Sequence, residues 1–176
     1  MNNKSILSLR NNLKQSGFSL IEIMLVIAIF TIIFGVAVPS MSSLAKNNRL
    51  ATTADSLFAL LSFAKNEAVF QSSLMTICKS DSPMLKKATC TAKKAKNVDW
   101  SSGWILINEL NKIIRVHEPV DSSIEIRSDW RVEFMASGLI KDKKLSIIFC
   151  DDREKEKGYT IVLKKGELVK ETFQCK

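Results

Sequence analysis

The first strong pattern along the chain is an apolar run from Phe18 to Val38, in which Glu22 carries the only formal charge. A helix of this length, at ~1.5 Å per residue, would be about 31 Å long, which matches the hydrocarbon thickness of a bilayer. Basic side chains precede the run at Lys4, Arg10 and Lys14, and no acidic side chain does. This charge distribution predicts that the N-terminus stays in the cytoplasm and that the C-terminal part crosses the membrane.

After Pro39 the pattern becomes that of an amphipathic helix continuing to about Gln71. Pro39 itself lacks a backbone N–H, so we expect it to kink or loosen the helix. From Phe18 to Gln71 the helix would be ~80 Å long. The apolar positions recur at three- and four-residue steps, which predicts one stripe packed on a sheet: Leu44, Ala51, Ala54, Leu57, Phe58, Leu61, Ala64 and Ala68.

From Leu74 onward the periodicity is that of β-strands. Asn111 and Lys165-Gly166 mark hairpin turns, and the lysine-rich stretch Ser80–Asn97 lacks apolar periodicity and is predicted to be a loop. The fold class is therefore α+β, with a long N-terminal helix packed on an antiparallel sheet. The predicted strands are Leu74–Lys79, Gly103–Asn108, Ile113–Glu118, Ser123–Arg127, Arg131–Met135, Leu145–Cys150, Tyr159–Leu163 and Leu168–Phe173.

Glu22 is the most informative residue of the apolar run. An uncompensated carboxylate in hydrocarbon costs on the order of ~2.5 kcal/mol near the centre of a span and less toward its end, so such a group usually has a partner. If the chain is cut after Gly17, the new amine of Phe18 lies one helical turn from Glu22. The amine of a neighbouring subunit is an alternative partner, and it would set the stagger between subunits. A glutamate that snorkels without any role is the third possibility.

The N-terminal segment could alternatively be a secretory signal peptide. Ala37-Val38-Pro39-Ser40 offers a weak cleavage site after the apolar run. Signal peptides, however, have a shorter apolar region with the small residues behind it. Here Gly17 precedes the run, and the run is long enough to remain as a membrane span.

Residues 14–26, Lys-Gln-Ser-Gly-Phe-Ser-Leu-Ile-Glu-Ile-Met-Leu-Val, closely resemble the processing signal of type IV prepilins and type II secretion pseudopilins. The resemblance implies that prepilin peptidase cuts between Gly17 and Phe18 and methylates the new amine of Phe18. It implies assembly with other pilins through Glu22, and a proline kink at Pro39.

The resemblance also implies the organisation of the chain. Residues 1–17 are a cleaved leader, 18–38 a transmembrane and assembly helix, 39–72 its amphipathic continuation, and 73–176 a β-rich globular domain. The expected location is the bacterial inner membrane in a single pass, with the globular domain in the periplasm, or outside the cell once it is in a filament.

Short motifs in the second half resemble the GspH/FimT-type minor pilins and pseudopilins. Members of that group are tip or initiator subunits of pili, H-type secretion pseudopilins, or DNA receptors in natural transformation. The first role is the one we expect here, and the other two remain open. The motifs are Ser102-Gly103-Trp104, Phe134-Met135-Ala136-Ser137-Gly138, Ile148-Phe149-Cys150, and Ile161-Val162 with Gly166 before a final cysteine.

Four cysteines, all beyond the apolar run, suit an oxidising compartment, although four thiols in a cytosolic protein remain the alternative. Three pairings are open. The local pairings are Cys78–Cys90, which would close the lysine-rich loop, and Cys150–Cys175, which would tie the last strand to an earlier one. Each would contribute ~3 kcal/mol by restricting the unfolded chain.

The formal net charge of +8 indicates an affinity for anions without naming one. Clustered lysines neutralise phosphates and thereby bind DNA without sequence preference, whereas a solvated loop or a subunit contact is the alternative. DNA-binding relatives carry Gly-Arg-x-Arg near the C-terminus, where this chain has Gly166-Glu167-Leu168-Val169. The candidate DNA contacts are Lys86, Lys87, Lys93, Lys94 and Lys96, joined by Lys164, Lys165 and Lys170 if the last hairpin lies nearby.

No pattern in the sequence indicates an enzyme, a metal site or a cofactor. His117 is the only histidine and lies in a predicted strand, where a half-buried structural role is expected. Asp151-Asp152 after a strand would suit a solvated turn better than a calcium site. The cysteines lack the close pairs of a zinc site, and no glycine-rich loop follows a strand.

Overall fold

The computed structural model describes residues 17–84, 88–90, 98–153 and 157–175, without the side chains of 36–40, 98 and 157. It divides the chain into two compact units, one ending at Ser42 and the other beginning at Ser43. A single helix, α1, covers Leu20–Phe70. The strands are β1 Met75–Lys79, β2 Val98–Asp99, β3 Trp104–Asn108, β4 Ile113–His117, β5 Ile124–Ser128, β6 Arg131–Phe134, β7 Lys144–Asp151, β8 Lys157–Lys164 and β9 Glu167–Gln174.

Local hydrogen bonds define the end of α1. The backbone N–H of Ser73 donates to the carbonyl of Ala68 at 3.2 Å, and that of Ser72 donates to the carbonyl of Val69 at 3.2 Å. Ser72 adopts a left-handed conformation with φ 49°. This is the Schellman arrangement, which satisfies carbonyls at a helix C-terminus. The predicted helix end near Gln71 is thereby confirmed.

The α+β fold class is confirmed, but the expectation of a single sheet is wrong. Eight observed strands match the predicted ones within two residues at each end, and β2 is an additional short strand. They form two antiparallel sheets: sheet A in the order β4-β3-β1-β6, and sheet B in the order β2-β5-β7-β8-β9. Sheet membership depends on contacts between distant segments, which alternation along one strand does not encode.

One face of α1 forms the core shared by both sheets. Its fully buried residues recur at alternating four- and three-residue steps, as an amphipathic helix requires. Leu44 is 65 % exposed, so its predicted place in this stripe is wrong, whereas Leu50 is buried and extends the stripe. The stripe consists of Leu50, Ala54, Leu57, Leu61, Ala64 and Ala68, and it packs with residues such as Ile77, Trp104 and Phe134 of sheet A and Ile126, Ile147, Phe149 and Ile161 of sheet B.

The opposite face of sheet A has a smaller core of its own. Cys78, Ile105 and Ile107 point away from α1 because side chains alternate along a strand. They are covered by Ala88, and Cys90 packs against them. The Cys78–Cys90 disulfide, with Cα atoms 5.5 Å apart, fixes this cover to β1.

The second disulfide joins Cys150 to Cys175 and passes over strand β8. In the β7–β8 register Phe149 lies opposite Tyr159, and in the β8–β9 register Gly158 lies opposite Phe173. A Cβ atom on Gly158 would lie 2.2 Å from the Phe149 carbonyl oxygen and 2.5 Å from the Cys175 sulfur. Only glycine therefore fits beneath the bridge.

The Gly158→Ala substitution is expected to lower the free energy of unfolding by about 1–3 kcal/mol, the usual cost of overpacking. Neither contact can move cheaply, because one partner is backbone and the other is held by a disulfide. Chemical denaturation of the oxidised protein measures the effect. Ser146→Ala, at an exposed position of β7, serves as the control and should change stability by less than about 0.5 kcal/mol. Equal stability of the two variants would contradict the packing described here.

Candidate functional site

The predicted cleavage point lies just outside the helix. Gly17, Phe18 and Ser19 are exposed and non-helical, and no atom lies within 4 Å of a Cβ built on Gly17. The carbonyl of Ser19 accepts hydrogen bonds from the backbone N–H groups of Glu22 at 3.0 Å and Ile23 at 3.2 Å. The bond between Gly17 and Phe18 therefore lies in an exposed, non-helical segment, and cleavage there stays a prediction.

Glu22 lies in the first turn of α1. A carboxylate at this position interacts favourably with the unpaired N–H groups and the positive end of the helix dipole. Its side chain is exposed, and within the part of the chain that the structure describes no ion pair involves it. Its geometry leaves the carboxylate able to accept a hydrogen bond from an amine outside the helix.

The large apolar side chains of residues 18–34 are exposed on all sides of α1. Their exposed fractions range from 41 % for Val26 to 79 % for Leu20. None of the helices in the described residues meets the length and hydropathy expected of a membrane span, so the span over residues 18–38 stays a prediction. The helix continues without interruption through Pro39, and the kink there also stays a prediction.

A polar cluster anchors the beginning of the second unit. The Arg153 guanidinium donates to the Ser43 hydroxyl at 3.1 Å and to the Asn47 side-chain oxygen at 2.6 Å, and it also bonds the Asp151 carboxylate. Lys46 donates to Asp152 at 2.9 Å, which lowers the pKa of that carboxyl. Both acids considered for a calcium site thus already bind cationic side chains. The sequence carried no signal for this cluster, since its partners lie about a hundred residues apart.

The loop that follows β4 is held to α1 by another acid. Asp121 accepts from the backbone N–H of Ser123 at 3.0 Å and from its hydroxyl at 2.7 Å, and it pairs with Arg49 at 2.9 Å. These hydrogen bonds and the nearby guanidinium lower the pKa of Asp121. Arg49 therefore forms an ion pair within the domain, with Asp121.

A groove runs between α1 and strand β4, and we call it the helix–edge groove. One part has a volume of about 300 Å³, lined by Ser56, Leu60 and Phe63 of α1 and by residues of sheet A. A second part of about 380 Å³ shares Ser56 and His117 with it. The ring of His117 stacks on Trp104 with centroids 3.9 Å apart, so the histidine has the half-buried structural position expected of it.

Gly103 explains the Ser102-Gly103-Trp104 motif at this groove. Its φ of 104° is rarely adopted by other residues, and a Cβ would lie 2.7 Å from the His117 carbonyl oxygen. The glycine thereby allows β3 to begin directly beside the end of β4. Trp104, placed by this turn, is fully buried, and its indole N–H has no hydrogen-bond partner among the described residues.

Gly138 and Gly166 bring two turns against the last part of α1. Both have positive φ, 75° and 80°, and a Cβ on Gly138 would lie 2.9 Å from Val69. Lys65 donates to the carbonyl of Gly166 at 2.6 Å. These glycines of the sequence motifs therefore position turns.

The candidate DNA-binding lysines are only partly described. Lys164 and Lys165 are exposed. Lys164 lies directly opposite Lys144 in the β7–β8 register. Lys170 pairs with Asp55 and lies 5.0 Å from the centroid of the Tyr159 ring, so it is committed within the domain. The loop candidates lie outside the described residues: Lys86, Lys87, Lys93, Lys94 and Lys96.

Comparison with known families gives two matches. The family model described as type II transport protein GspH matches residues 53–166, and the prokaryotic N-terminal methylation motif matches residues 12–38. The first covers well over half of the 176 residues. No curated protein matches the chain significantly.

Solved structures of the type IV minor pilin FimU from Pseudomonas aeruginosa strain PAO1 share the fold. The crystal form in space group P21 is 20 % identical, with a TM-score of 0.55, and the match covers 72 % of this chain and 90 % of FimU. The form in P65 is 20 % identical with a TM-score of 0.53, covering 69 % and 92 %. The chain thus combines the N-terminal methylation motif with a long helix packed on antiparallel sheets, and it belongs to the family of the type II transport protein GspH.

Proposed function

We propose that this chain is a minor pilin-like structural subunit that takes part in the initiation or the tip of a type IV pilus-type filament. Prepilin peptidase cuts it between Gly17 and Phe18 and methylates the amine of Phe18. Residues 18–38 hold it in the inner membrane before assembly, and its partners are other pilins. The methylation motif over residues 12–38 is the observation that carries this proposal.

The exposure of the first half of α1 supports this role. An apolar helix that is exposed on every side is stable only when lipid or other apolar helices surround it. Both environments occur in the proposed life of the subunit, first in the membrane and then in the filament. In either one, Glu22 needs a positively charged partner, and the processed amine of a neighbouring subunit provides it.

Glu22→Ala should leave membrane insertion and cleavage intact and reduce the filament-associated fraction roughly tenfold, as the loss of ~1.4 kcal/mol of pairing energy implies. Immunoblotting of sheared filaments and of membranes measures both fractions. Thr31→Ala is the matched control, because the Thr31 hydroxyl already bonds the Ile27 carbonyl within the helix. Normal incorporation of the Glu22→Ala protein would contradict assembly through pairing of Glu22 with a neighbouring amine.

The H-type pseudopilin of a type II secretion system is the close alternative, since it has the same fold and the same processing. We expect deletion of this chain to abolish piliation and twitching while exoprotein secretion continues. Electron microscopy, a twitching assay and an assay of secreted enzyme separate the two. Lost secretion with normal pili would assign the chain to the secretion system instead.

A pilus-displayed DNA receptor is a second candidate, favoured by one feature of sheet B. Lys144 and Lys164 lie directly opposite each other, an arrangement of like charges that is unfavourable by itself, although Glu167 lies opposite Lys164 on the other side. Both are exposed, as is Lys165, and none of the three forms an ion pair among the described residues. A bound phosphate would relieve this repulsion.

The mature protein in detergent, titrated with duplex DNA across a salt series, tests the second candidate. Each phosphate contact adds ~0.9 to the log–log salt slope. If the receptor function is right, changing Lys144, Lys164 and Lys165 to alanine lowers the slope, as does the loop variant lacking Lys86, Lys87, Lys93, Lys94 and Lys96. Lys46→Ala, which removes a lysine already paired with Asp152, is the control. Absence of DNA binding near physiological salt would exclude the receptor role.

A further inference from the structure

Two strand edges of the second unit have no pairing partner among the residues that the structure describes. Among the four sheet edges, β2 has only two residues. The edge of β6 is covered by its own chain, since Lys141 N–H donates to the Glu133 carbonyl at 2.9 Å and Met135 N–H to the Leu139 carbonyl at 2.8 Å. Within the described residues β4 and β9 pair on one side only. An uncovered edge is a template for pairing with another strand.

The β4 edge lies beside space for one more strand. Helix α1 reaches past this edge, so the side chains of Ser56, Leu60 and Phe63 form the wall of the helix–edge groove. Phe63 and Leu60 are only partly buried against the core. A strand added to β4 would extend sheet A beneath these residues and bury them.

The β4 edge is basic. The strand carries Arg115 and His117 and no acidic residue; Lys112 directly precedes it and Glu118 directly follows it. The Arg115 guanidinium lies 5.0 Å from the centroid of the Phe63 ring. No ion pair involves Arg115 in the described part of the chain. A carboxylate on an incoming strand would complete its pairing in a partly desolvated groove.

The β9 edge carries acidic side chains, which complement the basic side chains of the β4 edge. Glu167 and Glu171 are exposed; Glu167 lies opposite Lys164 in the β8–β9 register, whereas Glu171 lies opposite Thr160 and forms no ion pair in the residues described. The one cation of the strand, Lys170, is committed to Asp55 on α1. Val169, 37 % exposed, adds an apolar contact on the same strand.

The two edges lie on opposite sides of α1. Asp55 and Lys65 contact β9 and the turn before it, whereas Ser56 and Phe63 face β4. A contact between β4 of one copy and β9 of the next therefore joins two different surfaces. Such a heterologous contact can repeat from copy to copy, and it generates a filament when the rotation between copies does not close into a ring.

Trp104 provides an independent indication that the groove is incomplete. Its buried indole N–H lacks an acceptor among the described residues, and a buried donor without a partner is unfavourable. The indole lines the groove under the stacked ring of His117.

We propose that the β4 edge of one copy pairs with the β9 edge of a second copy of this chain, extending sheet A of the first into sheet B of the second. Backbone hydrogen bonds supply the attraction, and the Arg115 and Glu171 side chains supply selectivity. The inference rests on the proposed function as a filament subunit, because it names the contact between globular domains.

Photo-cross-linking of the mature full-length protein in phospholipid vesicles tests the contact. One copy carries p-benzoylphenylalanine in place of Val116, which is 43 % exposed, and a second copy is labelled with 15N. We expect a cross-linked peptide from Glu167–Gln174 of the labelled copy. The matched control places the probe at Leu139, which is 44 % exposed but lies at the β6 turn. Cross-links to other segments, or only to lipid, overturn the proposal.

Charge exchange tests selectivity on the same cross-link. Arg115→Glu alone and Glu171→Arg alone should each reduce the product roughly tenfold, the factor that 1.4 kcal/mol represents. Mixing the two variants restores opposite charges across the contact and should restore the product. No rescue overturns the role of this pair. A protein that enters filaments in a Glu22-dependent manner but never gives the β9 cross-link refutes the edge contact and leaves the proposed function standing.

Discussion

The second unit depends on one stripe of α1, because both sheets bury their inner faces against it. Sheets A and B share no strand, and their apolar side chains meet in a single core only around this stripe. Three of its residues are alanines, Ala54, Ala64 and Ala68, all with no exposed surface. Small side chains let the sheets approach the helix closely, so any enlargement of these positions acts on both sheets at once.

The two parts of α1 differ in how apolar and polar side chains are distributed around the helix, although they form one continuous helix. Beyond Ser43 the helix has one apolar face, and polar residues such as Lys46, Asn47 and Asp55 bind partners from the sheet layer. Over residues 18–34 it is apolar all round, with a single carboxylate. The first pattern is satisfied within the chain, and the second needs surroundings that the chain itself does not supply.

Local features could be predicted from the sequence, and features that join distant segments could not. The helix end and eight strands follow from periodicity and turn residues, which act over a few positions. The separation into two sheets, the cluster around Arg153 and the groove beside Trp104 involve residues up to about a hundred positions apart, and no local pattern encodes them. Leu44 shows the same limit, because it continues the apolar spacing of the helix and yet lies beyond the sheets that would cover it.

The shared core also has a consequence for the order in which the chain can become stable. The helix stripe lies in the first half of the sequence, whereas Leu145, Ile147, Phe149, Ile161 and Leu163, which cover much of it, come from β7 and β8. During synthesis the helix therefore emerges long before its cover does. Until nearly the whole chain has been made, an apolar face remains open to aggregation, as is typical of folds dominated by contacts between distant residues. The proposed subunit would then require protection in the periplasm, or holding at the membrane, until its last hairpin arrives.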